Sequence, residues 1–552
     1  MRDHEHEHEH GHDHDHGHGH GHAPAGDPPS GAEDGEQHQL SRRRLLRAAG
    51  LLGTTAAAAG AAQVLPVSGA RAAPATGRRL RWLAGDHHVH TKYSFDGRYR
   101  VDQQVDAALA HGLDWLVITD HGGRQHQRTG LKRGLADLRR CRDDHPDLLL
   151  FQGVEWNVPA GQHATVFVAP GDGEFEVLSQ FESMYDARVN DLRAVDTANR
   201  EQALRAVQWL GRQAADGRTP MALSIVNHPG EAGAYPPSTL RKLRDADPGV
   251  LIGMEGAPGH QAAGIPESRG GAGRGRGAYD GEPWGGSFRD YPKQAYRTFG
   301  GFDWMTATVG GVWDAMLAEG LPFWIVAGSD SHAVFGQSWR RGEPTADEPF
   351  PDPVMGKRAG DGQGDFWPGQ FARTHVGAAS ADYVELMRGL RAGRIWVDHG
   401  QLVDTVDVSV GGDRGAHRGG LGEVVTVRRG ETVEATVTID LRRERNHHGD
   451  QPRLRRVDII AGPVTGQPGD RDAMAAPDTA VAGSYEISQR TGTVTVTHDF
   501  RAVDSSFYLR VRGTNGEHHA SGSIEPRQDP KGDADPWDDL WFYTNPVFVQ
   551  VD

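Results

Sequence analysis

Histidines, aspartates and glutamates recur in this chain at the ends of short apolar runs, a pattern suited to holding metal ions. Asp86-His87-His88-Val89-His90-Thr91 places two imidazoles, His88 and His90, two residues apart. In an extended strand that spacing puts both side chains on one face, where they can clasp one ion. Asp96 follows in Tyr93-Ser94-Phe95-Asp96-Gly97, and Asp120-His121 comes just after the run Trp115-Leu116-Val117-Ile118. Glu155 closes Gly153-Val154-Glu155, His163 opens a further apolar run, and Asn227-His228-Pro229 and Gly328-Ser329-Asp330-Ser331-His332 end two more. A single such residue beside a strand is ordinarily a cap or a solvated group. A succession of strand ends and starts, each supplying an oxygen or imidazole ligand, points instead to a shared metal site. Cys141 is the one cysteine, which excludes an intrachain disulfide and a Cys-rich zinc module; any metal must be held by His, Asp and Glu.

The elements between these residues must bring them together. Apolar runs at residues 80–89, 115–118, 148–151, 163–168, 221–226, 251–254 and 323–326 read as strands. Between them, Val101, Val105, Ala108 and Leu109 fall at helical spacing, residues 131–143 read as a second helix, and Leu204, Val207 and Leu210 mark a third. Such alternation predicts a parallel sheet with covering helices, and at this length a barrel, whose C-terminal strand ends converge on one rim. After about residue 400 the helical signal stops. Val433, Ala435, Val437 and Ile439 alternate with polar residues, as do Val494 and Val496, then Phe507, Leu509 and Val511, then Val547, Val549 and Val551. Period two in several short runs predicts an antiparallel sandwich, a second and non-catalytic domain. Trp537, Trp541, Phe542 and Tyr543 within it could form an exposed platform for carbohydrate or wall polymer, though core packing is the favoured reading.

The order H-x-H-T, S-x-D-G, T-D-H, G-V-E, a later His, N-H-P and G-S-D-S-H resembles that of the PHP (polymerase and histidinol phosphatase) family, over roughly residues 84–335. The resemblance implies a distorted (β/α)7 barrel of PHP type, here followed by the all-β sandwich-like domain. It implies three divalent ions. His88, His90, Glu155 and Asp330 would hold the first; Glu155, as a bridge, with His163 and His228 the second; Asp96, His121 and His332 the third. His121, Glu155 and Asp330 would be the catalytic members. Helical segments near 302–319 and 381–391 and a strand at 393–397 look similar to the closing part of such domains. The secreted, sandwich-bearing architecture also resembles the carbaryl-hydrolase-like branch.

Imidazole and carboxylate ligands without thiolate suit Zn²⁺, Mn²⁺ or Fe²⁺. The expected chemistry is hydrolysis of a phosphate mono- or diester by metal-activated hydroxide. Carbonyl ester, carbamate or amide hydrolysis at the same metals is the alternative, and Trp156 beside Glu155 leaves it open. Fixed arginines near the third metal would mark the first; an apolar aromatic cleft would mark the second. A non-catalytic metal-binding envelope protein is the alternative from another class, and it would lack one or more ligands. Arg124, His126, His260 and Arg373 are candidates for substrate contact. Two long loops, 256–286 with Arg269, Arg274 and Arg276, and 341–369, follow strands on the rim and could cover a substrate.

The formal net charge of −16 is uneven: −9 over residues 1–40, +5 over 41–72 and −12 over the remainder. A surface of that sign repels a nucleic-acid backbone, so no nucleic-acid scaffold binding is expected, while a small anionic substrate stays compatible because bound metals reverse the sign locally. Residues 1–40 form a disordered leader in which His4 to His22 alternate with Glu, Asp or Gly; it could buffer zinc or nickel, be low-complexity drift, or be an added tag. Residues 41–72 resemble a twin-arginine signal peptide, with Ser41-Arg42-Arg43-Arg44-Leu45-Leu46-Arg47, a mild apolar stretch, and Ala70-Arg71-Ala72 at a cleavage spacing. The expected partner is the twin-arginine export machinery, with no transmembrane anchor in the mature protein and an extracellular or cell-envelope location. Residues 73–400 are then the metallohydrolase domain and 401–552 the sandwich.

Overall fold

The computed structural model describes residues 80–356, 364–415, 417–516 and 535–552. The leader and signal readings lie outside them. Seven strands lie side by side in sequence order: β1 (Arg81–Val89), β2 (Trp115–Ile118), β3 (Leu149–Asn157), β4 (His163–Val168), β5 (Ala222–Val226), β6 (Leu251–Ala257) and β7 (Trp324–Ala327). The chain leaving β7 returns beside β1. Val89 and Ser331 form a parallel bridge, and Asp330 N–H donates to His88 O at 2.9 Å. β2, with all four residues buried, is covered on both faces, as a continuous apolar run requires. Helix Leu131–Asp144 lays Leu131, Leu135 and Leu138 onto this sheet at three- and four-residue spacing. Gly85 leaves room for the Trp115 ring: a Cβ there would sit 2.1 Å from it.

The sheet is not wholly parallel, which corrects the sequence expectation. β1–β2–β3 and β5–β6–β7 pair in parallel, but β4 runs against both neighbours. Residues 158–162 are too few for the crossover a parallel pair needs, about a dozen residues. They turn tightly instead, Val158 N–H donating to Gln162 O at 2.8 Å. The reversal carries the start of β4, and with it His163, to the rim where the other strands end. Helix Pro237–Ala246 joins those read from the sequence, and residues 302–319 form two short helices, Trp304–Ala307 and Val312–Leu317, rather than one.

Beyond β1 the sheet continues outward without a break. Ala372–Ala378 pairs antiparallel with β1, Ile395–His399 with Ala372–Ala378, and Trp541–Thr544 with Ile395–His399. A second sheet of Val403–Gly412, Val433–Leu441 and Gly492–Phe500 is antiparallel, and strict alternation of burial along Val433–Leu441 turns one face inward. Val424–Val427 departs from the antiparallel expectation by pairing in parallel with Val547–Val551. This β-rich C-terminal region also bonds to β7: the Asn545 side chain accepts from Ile325 N–H at 2.8 Å and donates to Ile325 O at 3.0 Å. Trp537, Trp541, Phe542 and Tyr543 are core residues at 5% exposure or less, so no aromatic platform exists there. No helix among the described residues is long and apolar enough to cross a membrane.

Candidate metal centre

The end of β1 presents His88 and His90, rings 5.1 Å apart and both fully buried. The segment after β7 sets Asp330 against them: its Oδ1 lies 3.1 Å from Nε2 of each histidine. Glu155, on β3, reaches the same pair, Oε1 at 3.1 Å from His88 Nε2 and Oε2 at 3.3 Å from His90 Nε2. Its Oε1 also lies 3.2 Å from His163 Nδ1 and 3.3 Å from His228 Nε2. One carboxylate thus faces four imidazoles, and His121 Nδ1, 2.8 Å from Oε2, is a fifth. The turn after β1 delivers Asp96, whose Oδ2 is 3.2 Å from His121 Nε2 and whose Oδ1 is 3.4 Å from His332 Nε2. The structure therefore brings together every residue read as a ligand: His88, His90, Asp96, His121, Glu155, His163, His228, Asp330 and His332. Groups such as His90, Asp96, His121 and His332, or His121, Glu155 and His163, hold their ligand atoms within 4.8 Å of one another.

Two of these residues have strained backbones, His228 at φ 26° and Asp330 at φ 48°. Non-glycine residues in that region persist where the surroundings over-determine them, as functional sites do. The charges also perturb one another. Burial pushes Glu155 up, but His163, His121 and His88 outweigh it and hold its carboxyl well below the usual range. Asp330 is held down in the same way against burial, by His88, His260 and His332. His121 rises to about 10: Asp96 and Glu155 overcome its desolvation. His90 falls to about 3 through burial and the nearby His332.

The donor set fits divalent cations. Buried polar atoms are nearly always hydrogen-bonded, yet His90 Nε2, Asp96 Oδ1, His121 Nδ1, Glu155 Oε2, His163 Nδ1, His228 Nδ1, Asp330 Oδ1 and His332 Nε2 are buried and lack a partner of hydrogen-bond geometry. Orphaned buried atoms occur elsewhere in the molecule too, but these eight belong to residues that gather at one place. Other ring nitrogens are tied back. His88 Nδ1 meets Glu255 Oε1 at 2.7 Å, His90 Nδ1 meets Ser94 Oγ at 2.8 Å, and His332 Nδ1 meets Asp330 O at 2.9 Å. Each bond aims the opposite nitrogen, Nε2, at the cluster.

The cluster floors a cleft of about 420 Å³. Of the four proposed substrate contacts, His260 alone lies in its wall, with Nε2 2.9 Å from Asp330 Oδ2 and Nδ1 2.5 Å from Asp365 Oδ1. Arg124 is exposed away from the cleft lining. His126 is buried against Glu182, Nδ1 to Oε1 2.9 Å, because residues 126–130 coil into a wide helical turn that faces that acid. Arg373 pairs with Asp398 at 3.3 Å, across the strands Ala372–Ala378 and Ile395–His399. Of the loop arginines, Arg274 lines the cleft, Arg269 bonds Asp535 and Arg276 bonds Gln261.

Sequence reading missed Glu231, Glu255 and Asp365, together with Arg98. Glu231 lies 2.9 Å from His228 Nδ1; Asp365 accepts from the backbone N–H of His332 and of Ala333. Glu255 had a legible signal. Gly253-Met254-Glu255 repeats the Gly153-Val154-Glu155 pattern three strands later, and carrying the strand to Ala257 would have exposed it.

The family model of the PHP domain matches residues 86–190. No curated protein matches the chain. Among solved structures, it is similar to a two-domain protein from Bacteroides vulgatus containing a predicted PHP-like metal-dependent phosphoesterase. The two are 16% identical, the alignment covers 81% of this chain and 94% of that one, and the TM-score is 0.33. The matched domain and the grouped His, Asp and Glu residues support a metal-dependent hydrolase.

Proposed function

We propose that the chain hydrolyses phosphate mono- or diesters at a three-metal site in a distorted (β/α)7 barrel. The ligands would be His88, His90, Glu155 and Asp330, then Glu155, His163 and His228, then Asp96, His121 and His332. Bound Zn²⁺, Mn²⁺ or Fe²⁺ ions would supply an activated water and neutralise charge on the phosphoryl oxygens. Glu155 holds imidazoles of all three groups at one carboxylate, so the chain itself sets their mutual spacing.

The observation that carries the phosphoester reading over the carbonyl one is the character of the cleft wall. Arg98 and Arg274 line it and form no carboxylate pair among the described residues, and the backbone N–H of Arg98 donates to His332 O at 3.2 Å, which sets this residue beside the third ligand group. Guanidinium groups so placed can take non-bridging phosphoryl oxygens. Trp156, which would have favoured an apolar cleft, is fully buried in the core, its Nε1–H donating to Tyr185 O at 2.8 Å. The remaining wall is made of Ala, Gly, His and acids.

Turnover of bis-p-nitrophenyl phosphate, p-nitrophenyl phosphate and p-nitrophenyl acetate, with metal content measured in parallel, tests the reading. Phosphoester turnover that is abolished in His121→Ala is the expected result; turnover of the acetate alone would hand the site to carbonyl chemistry. We also propose export through residues 41–72 by the twin-arginine route to the envelope or medium. Retention of the uncleaved chain in the cytoplasmic fraction would defeat that part.

A further inference from the structure

Glu255 stands on β6, fully buried, and is not among the proposed ligands. Its two carboxylate oxygens point to different ligand groups. Oε1 is 2.7 Å from His88 Nδ1 and 3.2 Å from His87 Nε2. Oε2 accepts the backbone N–H of His228 at 2.6 Å. The first bond needs the proton of His88 on Nδ1, which leaves Nε2 as the free lone pair, and Nε2 is the nitrogen that faces Glu155 and Asp330. The second bond clamps the backbone of a residue at φ 26°, a conformation that a β-substituted side chain resists. His228 must hold that conformation while its Nε2 lies 3.3 Å from Glu155. No bond joins Glu255 to Asp96, His121 or His332.

We infer that Glu255 is a positioning residue that couples two of the three metal sites, fixing the tautomer of His88 in one and the backbone of His228 in the other. This rests on the metal reading of the site given above. Carboxylates behind ligating histidines act in this way, and their loss costs about 10–100-fold in metal affinity. What is particular here is the division of labour: one oxygen serves a side chain of the first group, the other a main-chain amide of the second. Loss of Glu255 therefore weakens both sites together and spares the third.

The test is calorimetric titration of the metal-stripped full chain with ZnCl₂, with bound zinc counted by elemental analysis, in wild type and Glu255→Gln, the histidines from His4 to His22 replaced by Ala in both so that the leader takes up none. The expected result is a loss of about tenfold or more in affinity for two of the three ions, with the third unchanged. A variant that merely loosened the fold would weaken all three. Equal affinities at all sites in the folded variant would overturn the inference. Wild type that takes up no zinc would overturn the metal reading itself, a separate outcome. Should Glu255→Gln not fold, nitrogen-15 spectra of the histidines in zinc-loaded wild type decide the matter. A protonated Nδ1 on His88 supports the inference, and a metal-bound Nδ1 overturns it.

Discussion

Two parts of this molecule bury charge, and they do it differently. Where the C-terminal region meets the barrel, Arg510 meets Asp314 with two bonds of 2.8 Å, both residues fully buried. Within the C-terminal region itself, Arg512 Nε–H donates to Asp458 Oδ2 at 3.0 Å. Each carboxylate there has a guanidinium of fixed charge and matching geometry. At the rim acids face imidazoles, and there carboxylate oxygens of Asp96, Glu155 and Asp330 are themselves left without hydrogen-bond partners, as those of Asp314 and Asp458 are not. The first arrangement sets fixed opposite charges against each other and, through Arg510 and Asp314, ties the C-terminal region to the segment before β7. The second gathers carboxylate oxygens and ring nitrogens that bound cations would satisfy. What distinguishes a structural from a functional set of buried charges here is the kind of cation the chain supplies, not the number of ionisable groups.

Three experiments press on that difference. The largest effect is expected from Asp314→Asn, which strands the buried Arg510 charge. Breaking such a pair costs about 3–5 kcal/mol, read as a shift in urea unfolding, while zinc affinity per folded molecule stays at the wild-type value. A parallel fall in zinc affinity would break the distinction.

Next comes Asp398, buried with Arg373 at 3.3 Å and His375 Nε2 at 2.9 Å. Burial raises its pKa, but Arg373 and His375 outweigh this and bring it to about 2, against 3.8 for the unperturbed group. A folded pKa below the unfolded one means stability that is present above about pH 4 and lost as pH falls toward about 2. The size is about 2 kcal/mol. The stability gap between wild type and Asp398→Asn should close over that window; a gap that stays flat would show the pair contributes nothing by charge.

The smallest effect is expected from Arg98→Ala. In an open cleft a charged hydrogen bond to substrate falls at the low end of its range, about 1.5 kcal/mol, so KM for a phosphodiester should rise roughly tenfold. Thermal stability should hardly move. A loss of stability without a change in KM would place Arg98 with the structural charges.

The ligand residues were legible because a metal site asks little of distant packing. His88 and His90 need only the two-residue period of a strand, and Glu155, His228 and Asp330 need only to stand where apolar runs stop. The alternation along residues 433–439 showed the β-rich character of the C-terminal region for the same local reason. Arg373 and His126 were misplaced as substrate contacts because nothing local distinguishes an arginine aimed at a cleft from one aimed at Asp398, or a histidine turned to Glu182. Those partners lie 25 and 56 residues away.

From sequence alone came the chemistry available to this chain: imidazole and carboxylate without thiolate, placed at strand termini, with period-two strands to follow. Those features depend on residue type and on backbone periods that hold over a few residues. Tertiary structure alone decided which groups meet. It reversed β4 so that His163 joins the rim, spanned Glu255 between His88 and His228, and laid Asn545 against β7, 220 residues away. Such contacts depend on how whole elements stack, and no local period of the chain encodes that.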